Sequence, residues 1–594
     1  MEIYCTSGST YNKNSHSLRR QLGGSSVKSN FLHRMKNRLY TYLLLAILMI
    51  PSHMRAQTGP EERIRIRIPS SIAMQDKAGA KTSDSSRPDS TEIEIYADEL
   101  AALKKQFGEL KILESSPLLD ASDMASNLAE AMSFTKYPTY PQYDSMMHYF
   151  AETYPEICRI DTIGYSIQGR LILALKISDN VATDEDEPAV FFTGTIHGDE
   201  LAGYVLSLRL IDFILKNYGS NIEIDRIVDD LQLWINPLSN PDGTFYPDND
   251  NSVAGSRRGN VRGLDLNRNY PDPGYGEADD TSGIEPENQY MMLFMHERKF
   301  DISANFHGGA EVVNYPWDHK YIRHPDTDWF VLISQEYADE ARAVSSSYMD
   351  AFVDDSTGIT GITNGADWYV IHGGRQDYVT YFLRGRELTI EMSNTKQVPS
   401  EQLETFWTYN QWSLINLISQ ARYGIHGRVR SANSGAALKA KIWVQSHDND
   451  SSWIESDKQS GNFYRYLKEG TYSLIIAAEG YVSDTLRNVY VADYQRSTVD
   501  VLLDSAYLGV GSGMESEIRL YPNPASEYLV LKIPPQHETR KIRVINLMGI
   551  TVYEDLLSSY SDYHRIDARS FGKGYFMLMI SDSQKNTLLP FIIR

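Results

Sequence analysis

The stretch AVFFTGTIHGDELAGYVLSLRLIDFILKNYG, Ala189 to Gly219, reads as a strand, a tight turn and a long helix in immediate succession. AVFFT is the kind of short apolar run that fills a buried strand. In the helix-length segment, Leu201, Val205, Leu208, Leu210, Ile211, Ile214 and Leu215 give a broad apolar face. Between the two, HGDE sets His197 and Glu200 three positions apart. Alone, such a pair says little, because a chain with 14 histidines holds roughly one by chance. Its location says more. His197 falls just past the carboxyl end of a strand, the edge at which open α/β sheets bind ligands.

Working outward, residues 135–422 repeat the alternation. ICRIDTIG, LILALKIS, LQLWINP, FDISANFH and ELTIEMS are strand-like runs separated by helix-length segments. That pattern predicts an α/β domain with a mostly parallel sheet and helices on both faces. After Tyr423 the helical pattern stops, and short strands between Gly, Asn and Ser predict a small β-sandwich over residues 423–505. A Gly-Ser joint, Gly509 to Gly513, leads to a second all-β segment over residues 514–594. Upstream, residues 58–134 read as a linker or pro-segment of low packing value, with a charged helix from Ala97 to Leu113.

The chain has 594 residues, which implies several domains. Its net charge of −21 argues against nucleic-acid binding. From Met35 the sequence MKNRLYTYLLLAILMIPSHMRAQ carries Lys36 and Arg38, an apolar run from Tyr40 to Ile50, and the small Ala56. This is the layout of a secretory signal, too short to span a bilayer. Residues 1–57 are therefore an N-terminal extension and signal peptide with Met35 the expected start, and no transmembrane helix is expected in the mature chain. That chain keeps only Cys158, so no intramolecular disulfide supports it.

The HGDE turn calls for a partner, because catalytic zinc takes three His or carboxylate ligands and keeps a position for water. His307, at the end of the strand-like run Phe300 to Phe306, supplies the third ligand at another strand end. A base beside the metal must accept a proton from water. Glu391 stands near the carboxyl end of ELTIEMS and is preferred to Glu387, which is nearer the strand start. The loop RRGNVRGLDLNRNYPDP, Arg257 to Pro273, offers guanidinium groups suited to a carboxylate or a developing oxyanion.

Six motifs, HGDE, NPDG (Asn240 to Gly243), SRRGNVRGLDLNRNYPD, SANFHGGAEVVNYPWD, TNGADWYVIHGGRQDY and ELTIEMS, resemble in order and spacing the zinc carboxypeptidases. The branch of carboxypeptidases N, E, D and M is the most similar, and in it a transthyretin-like β-sandwich follows the catalytic domain. The resemblance implies one Zn2+ held by His197, Glu200 and His307, with Glu391 as general base and Arg258 polarising the scissile carbonyl. It implies that Asn267 and Arg268 grip the substrate's terminal carboxylate, and that Tyr369 closes over it. Asp318 would receive a lysine or arginine side chain, with Gln376 lining the same pocket. Arg375 and Arg384 depart from the pattern by adding positive charge nearby; contact of either with Asp318 would undo the basic preference. LYPNPASEYLVLKI, INLMGITVYE and GKGYFMLMI resemble the C-terminal sorting domain of type IX secretion.

The expectation is an exported zinc metallocarboxypeptidase, secreted or held at the outer-membrane surface. It would pass through the periplasm and release Lys or Arg from peptide and protein C-termini. Its partners would be basic C-termini and, through the last domain, the secretion machinery. The alternatives are a zinc amidase or deacylase on cell-wall peptides, and a catalytically inert surface-binding scaffold.

Overall fold

The computed structural model describes residues 63–69, 90–96, 111–116, 119–183, 185–506, 518–533, 540–547, 549–557, 563–581 and 586–594. The signal-like segment lies outside them. An eight-stranded sheet organises residues 119–422. Its strands are β1 Cys158–Tyr165, β2 Leu171–Ile177, β3 Ala189–Gly194, β4 Gln232–Asn236, β5 Ile302–His307, β6 Ala310–Tyr315, β7 Ile362–Asn364 and β8 Arg386–Ser393. They lie in the order β7-β6-β8-β5-β3-β4-β2-β1. The run β8-β5-β3-β4 is parallel, as is β6-β7, whereas β6-β8, β4-β2 and β2-β1 pair antiparallel.

Parallel strands are covered on both faces, and these are. On one face lie α1 Tyr140–Thr153, α2 Ala202–Asn217, α3 Ile222–Asp230, α5 Thr327–Val344 and α6 Leu403–Ser419. Their apolar residues share a core with Val190, Phe192, Ala304, Phe306, Leu388 and Ile390. On the other face α4, Pro286–Arg298, packs Met291, Met292, Phe294 and Met295 against Phe191, Trp234 and Phe300. Local sequence starts α1 with a capping box: Thr139 accepts from the Gln142 N–H, and the Gln142 side chain returns to the Thr139 backbone.

Two expectations upstream are corrected. Residues 119–134 do not form a segment of low packing value, because Leu119, Met124, Ala125, Ala131 and Phe134 are buried in the main core. The charged helix expected to reach Leu113 does not, because Lys111–Ser116 is a strand. It joins Arg63–Pro69 and Ser90–Tyr96 in an antiparallel sheet with Arg63–Pro69 in the middle. The period-two alternation of RIRIRIP and TEIEIY is the sequence signal for that sheet.

Downstream, a three-stranded and a four-stranded sheet enclose Ile425, Val429, Ile442, Leu474, Ile476 and Val501. Residues 519–594 repeat the three-plus-four plan around Leu529, Ile542, Val544 and Leu578. Among the described residues no helix is long and apolar enough to cross a membrane.

The first sandwich is joined to the α/β unit by a buried ion cluster. Asp326 accepts from both Nη atoms of Arg465 at 2.7 Å and from Arg386 Nε at 2.9 Å. Arg465 also donates to Asp448, and Arg386 to the Ser452 carbonyl. Burial disfavours the Asp326 charge, yet Arg465 and Arg386 outweigh it and hold the carboxyl well below the ordinary aspartate range. Breaking a buried pair by removing one partner costs about 3–5 kcal/mol, because the other charge stays buried. Asp326→Asn should therefore lower the unfolding free energy read from a urea titration at pH 7 by an amount on that scale. Because the folded carboxyl titrates below the unfolded one, its stabilisation is full above about pH 4 and fades only as pH falls through the lower, folded value. A wild-type and variant difference that already vanishes at pH 5 would contradict this.

Candidate metal and peptide-binding site

The site stands at the carboxyl edge of three neighbouring parallel strands. β3 ends at Gly194, Thr195 takes a left-handed φ of 55°, and the chain turns through His197 and Glu200 before α2 begins. His307 is the last residue of β5, whose Phe306 pairs with Gly194. Glu391 on β8 is paired with His307 itself. Gly198 is needed for space, not for an unusual φ. A Cβ there would lie 2.3 Å from the Gly243 carbonyl carbon and 2.4 Å from the Thr244 nitrogen.

One ligand atom each from His197, Glu200 and His307 lies within 4.8 Å of the others, and all three residues are buried. Nδ1 of His197 and of His307 stand 2.9 and 2.8 Å from Glu200 Oε2 and 3.0 Å from each other. The second ring nitrogens point outward, His197 Nε2 to Asp265 Oδ1 at 3.0 Å and His307 Nε2 to Asn305 Oδ1. Burial opposes the charge of Glu200, but His197, Lys396 and His307 hold its carboxyl well below the usual range. Burial pushes His307 down to about 4. An ionised carboxylate beside a neutral imidazole is the donor set a divalent cation requires. The residues present fit zinc.

Arg258 reaches the same centre. Its Nη1 lies 3.1 Å from His197 Nδ1 and 3.3 Å from Glu200 Oε1, while Nε donates to Asp265 Oδ2 at 3.0 Å. Asn267 is buried and accepts from the Arg375 N–H at 2.9 Å; Arg268 donates to the Asn267 carbonyl at 2.8 Å. Glu391 is buried with an Oε2 that has no hydrogen-bond partner. Burial, and after it the charge of Glu200, raises its carboxyl well above the usual glutamate range. Tyr369, 43% exposed, is the open member of the group.

Asp318 sits across the cavity. Its Oδ1 accepts from Asn314 Nδ2 and Gln376 Nε2, both at 3.0 Å, and its N–H donates to Asp377. Burial, then the Asp377 charge, pushes the Asp318 carboxyl well above its ordinary range, a state that a cation would reverse. Neither of the two arginines in question answers it. Arg375 pairs with Glu387 at 3.1 Å, and Arg384 lies over the Trp453 ring at 4.3 Å.

His197, Arg258, Asn267, Arg268, His307, Asp318, Tyr369 and Glu391 line one cavity, with Gln376 set behind Asp318 and Glu200 behind the histidines. Glu387, the competing base, is elsewhere: it is fully buried and bonded to Ser303, Asn305 and Arg375. Sequence reasoning assigned no role to Asp265 or Asn305, which hold the histidine rings, or to Lys396, 3.1 Å from Glu200 Oε1. Asp265 lies inside a quoted motif. Lys396 is nearly two hundred residues from its partner and gives no local signal.

Residues 143–413 match the model of the zinc carboxypeptidase family, and residues 519–594 that of a secretion-system C-terminal sorting domain. Carboxypeptidase D of Homo sapiens is 33% identical over 59% of this chain, but the chain spans only 26% of that protein. Carboxypeptidase SOL1 of Arabidopsis thaliana is 32% identical over 60% of this chain and 72% of its own length. The carboxypeptidase N catalytic chain of Rattus norvegicus is 30% identical over 61% of this chain and 87% of its own.

The close approach at Gly198 gives a direct test. Overpacking costs about 1–3 kcal/mol where atoms can move, and here the atoms met are backbone. Gly198→Ala should displace the turn and reduce bound zinc per chain, read by elemental analysis, with the far-ultraviolet dichroism retained. Unchanged zinc content would show that the turn tolerates the methyl group.

Proposed function

This chain belongs to the zinc carboxypeptidase family, and we propose that it hydrolyses the last peptide bond of peptides and proteins, releasing Lys or Arg. The observation that supports the reading is the arrangement of one cavity: Asn267, Arg268 and Asp318 line it together, and among the described residues neither Arg375 nor Arg384 pairs with Asp318. A free terminal carboxylate suits the first pair, and a cationic side chain suits the second.

His197, Glu200 and His307 would hold the zinc, which when bound supplies a Lewis acid that polarises the carbonyl and acidifies water. Glu391, desolvated and with an unpartnered oxygen, takes the proton from the attacking water and returns it to the leaving amine. Arg258 faces the developing oxyanion, held in aim by Asp265. Arg268 and Asn267 give the register of an exopeptidase, because only a chain end brings a free carboxylate. Tyr369, exposed at the rim, closes over the bound residue. Gln376 steadies Asp318 from behind.

The sandwich after residue 423 is read as the transthyretin-like domain of this family. The sorting domain at residues 519–594 implies export. The destination is the medium or the outer-membrane surface, with the secretion machinery as partner.

Blocked dipeptides ending in Arg, Lys, Phe, Glu or an amide, each with and without a chelator, test the reading. Chelator-sensitive release of Arg and Lys alone is expected. Asp318→Asn should cost about 2–5 kcal/mol in kcat/KM on the basic substrates. Arg258→Ala should lower kcat about 10²–10³-fold. Release of Phe or Glu would overturn the pocket assignment, and cleavage of the amides would overturn the carboxylate grip and favour an amidase.

A further inference from the structure

Two charged residues that the proposed chemistry does not use form a buried chain beneath the site. Arg375 is completely buried; its Nη2 lies 3.1 Å from Glu387 Oε2, its other Nη reaches Thr193 Oγ1, and its guanidinium covers the Phe191 ring. Glu387, also completely buried, accepts from Ser303 Oγ at 2.7 Å and from Asn305 Nδ2 at 3.1 Å. Asn305 Nδ2 donates as well to Thr389 Oγ1 at 3.0 Å. The Glu387 carboxylate, paired with Arg375, and the Leu388 carbonyl, 3.5 Å from that nitrogen, can only accept, so the amide has one orientation, with Oδ1 toward His307 Nε2. An oxygen there can only accept.

From this geometry we infer that Arg375 and Glu387 are positioning residues for the metal site: acting through Asn305, they fix the proton of His307 on Nε2 and leave Nδ1 free for the cation. The inference rests on the proposed ligand set. Arg375 orders the chain, because its guanidinium forces an oxygen of residue 387 to face it and leaves the other for Asn305. The same residue's backbone N–H holds Asn267 Oδ1, so one buried arginine serves both the metal ligand and the carboxylate grip.

Glu387→Gln is the decisive change. Its amide oxygen must turn to Arg375, which presents the NH2 to Asn305. The Asn305 amide then flips, offers a donor to His307 Nε2, and drives the proton onto the nitrogen that faces the metal. Asn305→Leu removes the acceptor outright. Ser303→Ala loses a bond to Glu387 but leaves the His307 contact intact.

The measurement is zinc affinity of the full chain by competition with a chromophoric chelator, with thermal unfolding of each zinc-free protein alongside. Loss of an outer partner of a metal-bound histidine weakens binding about 10–100-fold. A fall of that size is expected for Asn305→Leu and a fall in the same direction for Glu387→Gln, together with altered visible spectra of the Co2+-loaded proteins. Ser303→Ala should bind zinc as wild type does. If either of the first two variants folds and binds zinc like wild type, the inference fails; should Asn305→Leu not fold, Glu387→Gln decides alone. Weakening by Ser303→Ala equal to theirs would also overturn it, by reducing the effect to general loosening. Undiminished zinc binding by His307→Ala would mark a different failure, that of the ligand set.

Discussion

The register of β3, β5 and β8 is the constraint on which the rest of the molecule depends. Gly194 stands beside Phe306, and His307 beside Glu391. Strands in a sheet are about 4.8 Å apart, so this pairing by itself brings a turn, a histidine and a glutamate to one edge. A slip of one residue would turn His307 and Glu391 to the opposite face of the sheet. Register is held in place by the core on that face, where Ala304, Phe306, Leu388 and Ile390 are buried beneath the helices.

Within the same strands the other face is polar. Ser303, Asn305 and His307 alternate with Ile302, Ala304 and Phe306, and Glu387, Thr389 and Glu391 alternate with Leu388, Ile390 and Met392. All of these residues are buried. Buried polar groups are costly unless paired, and here Ser303, Asn305, His307, Glu387 and Thr389 are tied into bonds while Oε2 of Glu391 is not. The free oxygen belongs to the residue proposed to take the proton from water.

The catalytic unit and the first sandwich share one buried electrostatic system. Arg386 opens β8 and pairs with Asp326, while Glu391 stands near the other end of the strand. Arg465 enters from the sandwich and completes the shell of Asp326. The strand that carries Glu391 is thus anchored at its start by a domain later in the chain. The boundary near residue 423 is a change of secondary structure, not a break in packing: Trp329 of α5 stacks on Tyr466 of the sandwich.

Much of this was legible in the sequence. Apolar runs and period-two alternation mark the strands, a broad apolar face marks α2, and the motifs contain every residue of the cavity to which the proposed function gives a role. These signals are local, because backbone periodicity and residue type act over a few positions. Other features came only with the tertiary structure: Leu119 to Phe134 packed in the core, Arg375 beside Glu387 and not beside Asp318, Asn305 behind His307, and Lys396 on Glu200. Each joins residues from separate elements, and a side chain's partner there is set by the sheet order and by which neighbours are buried with it. The sequence by itself determined which groups could do the chemistry. Only the folded arrangement decided which charges are satisfied by the protein and which are left open to a ligand, because desolvation and pairing exist only once the elements have met.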